Sequence, residues 1–111
     1  MKPELAKPTV SDHSLLISLL LAGLCLMVFF QVSGHSFVFY DDFEYVYQNP
    51  YIVRGLTPYS IRWDLTPGDD WMFLTKFSHL VMFQLFGSGP AAHHLANLFL
   101  HIANALLLFF I

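Results

Sequence analysis

The sequence predicts an all-α integral membrane protein, in which two transmembrane helices are joined by an external loop with short interfacial helices. Two long apolar runs, one near each end of the chain, carry this prediction. Composition agrees, because hydrophobic residues make up 56% of the chain and charged residues only 12%, where about 25% is usual. So small a polar fraction argues against a soluble monomer. A net charge of −3 leaves no basic surface for nucleic acid.

The first transmembrane helix is expected over residues 14–32, which are mostly apolar. At about 1.5 Å per residue, this run matches a hydrocarbon core of roughly 30 Å. Ser11 and Asp12 are placed to cap its start. A cleaved signal peptide is the alternative, because Val32-Ser33-Gly34 offers small residues after a basic start. The run exceeds the roughly 7 to 15 apolar residues of a signal peptide, which favours an uncleaved anchor.

The charges around this helix predict its orientation. Lys2 and Lys7 lie in the polar tail, residues 1–13, and no Lys or Arg occurs between Val32 and Val53. Because positive charges stay on the cytoplasmic side, we expect a cytoplasmic tail and an extracytoplasmic loop over residues 33–92. The only cysteine, Cys25, lies in the apolar run, so no disulfide can form within the chain.

A short helix is expected in the second half of the loop. Thr57 is a suitable cap and Pro58 a suitable first helical residue, which predicts a helix through about Leu65. A turn is expected to follow at Thr66-Pro67-Gly68-Asp69.

A longer helix is expected from Trp71 to Phe86, ended by Gly87, with Pro90 opening the next helix. Several polar residues interrupt its apolar pattern, which makes it a poor lipid-crossing segment. An interfacial helix that lies along the membrane surface fits better. Those polar residues are Thr75, Lys76, Ser78, His79 and Gln84.

The second transmembrane helix is expected over residues 93–111. Four of its polar residues recur at intervals of three or four, so they share one helical face. Polar groups are costly against lipid, and this stripe should therefore face other protein or a water-filled cavity. The chain stops at Ile111 without a polar flank, so we expect it to be a fragment. The stripe consists of His94, Asn97, His101 and Asn104.

Asp41 and Asp42 are the sharpest local feature of the loop. If this stretch is extended, successive side chains point in opposite directions, so one carboxylate would act on a reacting atom while the other orients it or holds a cation. The alternative is structural, because Asp41 followed by Glu44 resembles a helix capping box.

Two further sets of residues invite a chemical interpretation. Lys76 and His79 lie one turn apart and could hold a phosphate at the membrane surface, although a snorkelling lysine is the alternative. His93, His94 and His101 suggest a metal, but they lack the paired spacing and accompanying acid of a helical zinc site. Hydrogen bonds between packed helices are the favoured interpretation of these histidines.

The order of motifs resembles the opening of the tetratricopeptide-repeat membrane O-mannosyltransferases and their bacterial relatives, which have the GT-C fold. The likeness covers nearly the whole chain after residue 34. The motifs are Phe37-Val38-Phe39-Tyr40-Asp41-Asp42, Tyr47-Gln48-Asn49-Pro50, Val53-Arg54-Gly55-Leu56-Thr57, Ile61-Arg62-Trp63, Leu74-Thr75-Lys76-Phe77-Ser78-His79, Gln84-Leu85-Phe86-Gly87, His93-His94-Leu95-Ala96-Asn97-Leu98 and Leu100-His101-Ile102-Ala103-Asn104-Ala105-Leu106-Leu107-Leu108.

The resemblance implies a multi-pass enzyme of the bacterial plasma membrane or the endoplasmic reticulum. Such an enzyme transfers a sugar, with mannose suggested by the family, from a polyprenyl-phosphate donor to a hydroxyl of a protein or glycan acceptor outside the cytoplasm. Carried onto this chain, it makes Asp41 the catalytic base and Asp42 its partner, and it implies no certain cofactor beyond the lipid-linked donor.

The chain departs from the family pattern in two ways. Relatives often begin the interfacial helix with Trp-His-Pro, where this chain has Trp71-Met72-Phe73. It also lacks the remaining spans and the repeat domain, so we expect it to be inactive alone. The alternative function is non-enzymatic: a small two-span membrane protein that binds a partner helix.

Overall fold

The computed structural model describes residues 12–68 and 72–111, and its regular structure is helical throughout. There is no β-strand in these two ranges, which confirms the all-α prediction for them. Single-turn 3₁₀ segments lie at Phe30–Gly34 and Ile52–Arg54, and a π-helical turn lies at Phe43–Tyr47. The four α-helices are α1 (Asp12–Phe29), α2 (Pro58–Leu65), α3 (Phe73–Phe86) and α4 (Pro90–Phe110).

The described residues form two compact units. The helical unit combines residues 12–30 with Leu98–Ile111, and the loop unit is Gln31–Asn97. Helix α4 contributes residues to both, since its chain passes from one unit into the other at Leu98.

Two helical segments of the described ranges are long and apolar enough to cross a membrane. Two candidate spans are present in the described ranges, His13–Gly34 with 22 residues and Pro90–Phe110 with 21. The second begins three residues before the predicted start, at the proline that opens α4. A hydroxyl within the first span is satisfied locally, because Ser18 Oγ donates to the Ser14 carbonyl at 2.8 Å. Length and composition therefore agree with the two predicted spans.

The loop unit has a small core of its own. Val46, Ile52 and Leu80 are buried, and Ile52 and Leu80 are completely so. The short helix α2 begins as the sequence predicts, because the Thr57 side chain accepts a hydrogen bond from the Ser60 N–H at 3.1 Å and Pro58 occupies the first turn. Both α2 and the 3₁₀ turn before it pack against α3. The predicted short helix is thus confirmed.

A glycine allows the loop before α2 to approach α3 closely. Gly55 has φ +67° and ψ −154°, a combination that is almost restricted to glycine. A Cβ at this position would collide with the Gln84 side chain. The same Gln84 Oε1 accepts a hydrogen bond from the Leu56 N–H at 3.2 Å. Two segments that are distant in sequence are therefore joined here.

The predicted end of helix α3 is also confirmed. Helix α3 ends at Phe86, and Gly87, at φ +70°, donates its N–H to the Phe83 carbonyl at 2.8 Å. The predicted starting residue, Trp71, and the turn residue Asp69 lie outside the described residues. The proposed cap at Ser11 also falls outside them.

Candidate functional site

The acidic pair lies in a helical turn between the first candidate span and the core of the loop unit. Asp41 and Asp42 are helical and lead directly into the π-helical turn Phe43–Tyr47. The condition of an extended stretch is therefore not met at these two residues. Successive residues of a helix still point in different directions, about 100° apart. The two carboxylates accordingly occupy different environments.

Asp42 is the anchored member of the pair and Asp41 the exposed one. Asp42 is half-buried, and its Oδ2 accepts a hydrogen bond from the Val38 N–H at 3.0 Å. The Asp41 side chain is exposed. No side chain caps the π-helical turn. The hydrogen bonds that a capping box of Asp41 and Glu44 would make are therefore not seen among the described residues.

Helix α3 brings His79 close to Asp42. The pKa of His79 is lowered, first because burial disfavours the charged imidazolium and second because His93 is adjacent; the Asp42 carboxylate opposes both effects. The His79 and His93 rings lie 5.7 Å apart. Asp42 and His79, two site residues predicted from the sequence, therefore interact electrostatically.

The remaining histidines contact backbone carbonyls and aromatic rings. His93 is buried, with its Nε2 3.2 Å from the Gly87 carbonyl, which places the ring proton on Nε2. Its Nδ1 is buried without a hydrogen-bond partner in the described ranges. His94 Nε2 lies 3.4 Å from the Ser36 carbonyl, and within the helical unit the His101 ring meets Phe29 edge-on at 5.3 Å. No three His, Cys, Asp or Glu side chains converge on a metal position in residues 12–68 and 72–111.

Lys76 is buried rather than extended toward water, so the snorkelling alternative is wrong. Only 8% of the residue is exposed, and its Nζ lies 4.7 Å from the centre of the Trp63 ring. The contacts of Lys76 are thus on the α2 side of α3, whereas those of His79 are on the side of His93. The structure does not join these two side chains in one contact, and a shared phosphate site remains a prediction.

A column of rings and cations, which sequence reasoning missed, supports Lys76. We call it the aromatic column: Arg54, Tyr59, Tyr51, Trp63 and Lys76 in spatial order. Arg54 lies 5.1 Å from the Tyr59 ring centre, the Tyr59 and Tyr51 rings stack at 5.2 Å, and the Tyr51 and Trp63 rings stack at 4.5 Å. The spacing of Tyr59 and Trp63 on one face of α2 was the available signal.

Asp64 is a second buried charge that the sequence did not reveal. It is 3% exposed, and neither carboxylate oxygen has a hydrogen-bond partner in the described part of the chain. Burial raises the pKa of Asp64, and the nearby positive charge of Lys76 partly offsets this. Two consecutive residues of α2 therefore interact with Lys76: Trp63 through its ring and Asp64 through its charge.

The polar stripe of α4 is mostly exposed in this chain. Asn97, His101 and Asn104 are exposed, and His94 is half-buried. Its predicted contact with further helices stays a prediction.

Comparison with protein-family models, with curated proteins and with solved structures finds no match to this chain. The glycosyltransferase resemblance is therefore neither supported nor refuted by relatives.

Proposed function

We propose that this chain is the N-terminal segment of a membrane glycosyltransferase. The enzyme would transfer a sugar, with mannose the suggested one, from a polyprenyl-phosphate donor to a hydroxyl of a protein or glycan outside the cytoplasm. The observation that carries the proposal is the exposed Asp41 carboxylate beside Asp42, which the Val38 N–H fixes in place. The order of motifs given above supplies the reaction class.

Asp41 acts as the general base in this proposal. A carboxylate is too weak a base to ionise an alcohol beforehand, but it can accept the proton as the new bond forms. The acceptor oxygen bonds to the anomeric carbon of the sugar, the bond from that carbon to the phosphate oxygen breaks, and the electron pair leaves with the phosphate. The acceptor proton moves to Asp41, while Asp42 keeps its neighbour oriented.

The donor phosphate would approach from the α3 side. His79 lies near Asp42, as the effect of that carboxylate on its pKa indicates. Burial disfavours the imidazolium, so His79 would bind a phosphate or sugar hydroxyl through a neutral ring N–H. The Lys76 charge lies behind Trp63 and would favour the phosphate through its field rather than by direct contact.

The two candidate spans and the lysines of the tail support the topology of this proposal. With the tail in the cytoplasm, the loop unit lies outside it, in the bacterial periplasmic space or the lumen of the endoplasmic reticulum. Asp41 is the seventh residue after Gly34, the last residue of the first candidate span. A lipid-linked sugar presents its phosphate at the headgroup level, which is close to this position.

A substitution series tests the proposed base. It requires a protein in which this chain is followed by the further spans that the resemblance implies. Asp41→Asn removes the negative charge but keeps the shape, so we expect sugar transfer to fall by roughly 100-fold to 10,000-fold. Glu44→Gln is the matched control, because Glu44 is an exposed carboxylate three residues away, and it should transfer sugar normally. Asp42→Asn should have an intermediate effect.

Full transfer activity in Asp41→Asn would show that the base is wrongly assigned. Equal losses in Asp41→Asn and Glu44→Gln would indicate a general effect of loop charge instead. Expression and helical content of each variant distinguish either result from misfolding.

A non-enzymatic two-span protein is the second candidate function. The exposure of Asn97 and Asn104 favours it, since a partner helix could cover both amides. The reading frame after Ile111 distinguishes the two candidates: further spans support the enzyme, whereas a stop codon with stable expression supports the partner-binding protein.

A further inference from the structure

Three consecutive large side chains just before the acidic pair are exposed. We call Val38, Phe39 and Tyr40 the aromatic tip, and their exposed fractions are 65%, 78% and 81%. Exposed apolar surface costs about 25 cal/mol per Å² in water. Single exposed apolar residues are ordinary, but a continuous group of this kind marks a binding surface.

The tip has a defined shape held by its own hydrogen bonds. The Tyr40 N–H donates to the Val38 carbonyl at 2.8 Å, and the Val38 N–H donates to Asp42 at 3.0 Å. The Phe39 ring contacts the Phe43 ring, with centres 4.9 Å apart. The apolar groups are thus presented outward by a turn rather than left on an open segment.

The position of the tip in the chain identifies its partner as lipid. Val38 follows Gly34, the end of the first candidate span, by four residues, which span at most roughly 14 Å. No Asp, Glu, Lys or Arg occurs between Asp12 and Asp41, so the uncharged run continues from the span through the tip. Aromatic residues at such positions collect where acyl chains meet headgroups.

We propose that the aromatic tip inserts into the boundary between headgroups and acyl chains of the bilayer that holds the first span. The proposal rests on the two-span topology of the proposed function. The carboxylates of Asp41 and Asp42 directly behind the tip keep the insertion shallow, because charges are costly in the hydrocarbon.

Insertion also places the candidate base. Asp42 accepts the hydrogen bond that closes the tip and is the sequence neighbour of Asp41. Asp42 is therefore a positioning residue: because it is bonded to the tip, the depth to which the tip inserts sets the distance of Asp41 from the lipid. A base held at headgroup level faces a lipid-linked phosphate sugar rather than a soluble nucleotide sugar.

Fluorescence quenching of the 111-residue chain in phosphatidylcholine nanodiscs tests this insertion. A Cys25→Ser background carries an environment-sensitive fluorophore on a cysteine introduced by Phe39→Cys. Leu20→Cys in the first span is the lipid control, and Thr66→Cys, at an exposed residue after α2, is the water control. Nitroxide lipids, spin-labelled near the glycerol, report contact with lipid, and iodide reports contact with water.

We expect the label at position 39 to be blue-shifted relative to that at position 66, to be quenched by the nitroxide lipid and to be protected from iodide. Adding Asp42→Ala should shift its quenching toward that at position 66, because the turn loses a hydrogen bond.

Iodide quenching equal to that at position 66 would overturn the proposal. Protection from both quenchers would also overturn it, by showing that protein covers the tip. If either of these two results is found while the label at position 20 contacts lipid, the two-span topology stands and only the tip proposal fails. If position 20 does not contact lipid, the two-span topology and the tip proposal fail together, whereas the Asp41→Asn series tests sugar transfer separately.

Discussion

The helical unit and the loop unit differ in where the described residues bury polar and charged groups. In the helical unit, large apolar side chains such as Met27, Phe99 and Leu108 are exposed. In the loop unit, Asp64, Lys76 and His93 are buried. The loop unit also exposes large apolar side chains, such as Leu74 and Leu85, so the two units differ in what they bury rather than in what they expose. Comparable substitutions in the two units should therefore have different consequences.

Aromatic truncation should give the largest difference. Trp63→Ala removes the ring that lies between Tyr51 and Lys76, and we expect it to lower the free energy of unfolding of the loop unit by about 3 kcal/mol, as for other Trp→Ala changes. Phe99→Ala, at an exposed residue of α4, is the matched control and should change it by about 0.5 kcal/mol or less. Denaturation of the detergent-solubilised chain, followed by near-ultraviolet circular dichroism, measures both. Equal losses would contradict the comparison.

Replacing a glycine by alanine should lower stability in the loop unit and raise it in the helical unit. Gly55→Ala forces an unfavourable φ and a collision with Gln84, so we expect it to destabilise the loop unit by about 2 kcal/mol. Gly23→Ala lies in the middle of α1 with open space around it, and it should stabilise the helix by up to about 1 kcal/mol. Thermal unfolding of the two variants in one detergent measures the difference. Destabilisation by both would show that α1 is constrained in a way that its open surface does not reveal.

A pH dependence confined to the loop unit is the smallest expected effect. The pKa of His79 is lowered in the fold, so the folded state binds fewer protons than the unfolded one. Stability is therefore full above the ordinary histidine pKa of about 6.5 and is lost as pH falls through the folded pKa. His79→Gln should flatten this loss in melting temperature measured from about pH 8 to about pH 5. His35→Gln, at an exposed residue, is the control and should leave the loss of stability unchanged. If the loss in His79→Gln is as steep as in the parent protein, a group other than His79 causes it.

Local signals predicted much of this fold. Thr57 with Pro58 indicated the start of α2, and Gly87 indicated the end of α3, because caps and special backbone angles depend on neighbouring residues. The apolar runs indicated α1 and α4 by length and composition alone. Such features can be predicted because the cause and the result lie within one turn of the chain.

Contacts between distant segments could not be predicted in the same way. Lys76 looked like a surface lysine, but the packing of α2 against α3 covers it with Trp63. The hydrogen bond between Leu56 and Gln84, and the proximity of His79 to Asp42, likewise depend on how the loop folds back on α3. Sequence reasoning singled out Asp41 and Asp42 but could not say which carboxylate would be anchored. That distinction depends on the turn that brings the Val38 N–H to Asp42.

The location of the loop unit outside the cytoplasm is the central claim, and cysteine accessibility in intact cells tests it most directly. Ser36 and Gln48 are exposed and suit a membrane-impermeant maleimide in a Cys25→Ser background, whereas Ser60, which also lies in the loop, is completely buried. We predict that Ser36→Cys and Gln48→Cys are labelled in intact cells, and that Lys7→Cys in the tail is labelled only after the membrane is opened. Labelling of the two loop positions only after the membrane is opened would contradict the account.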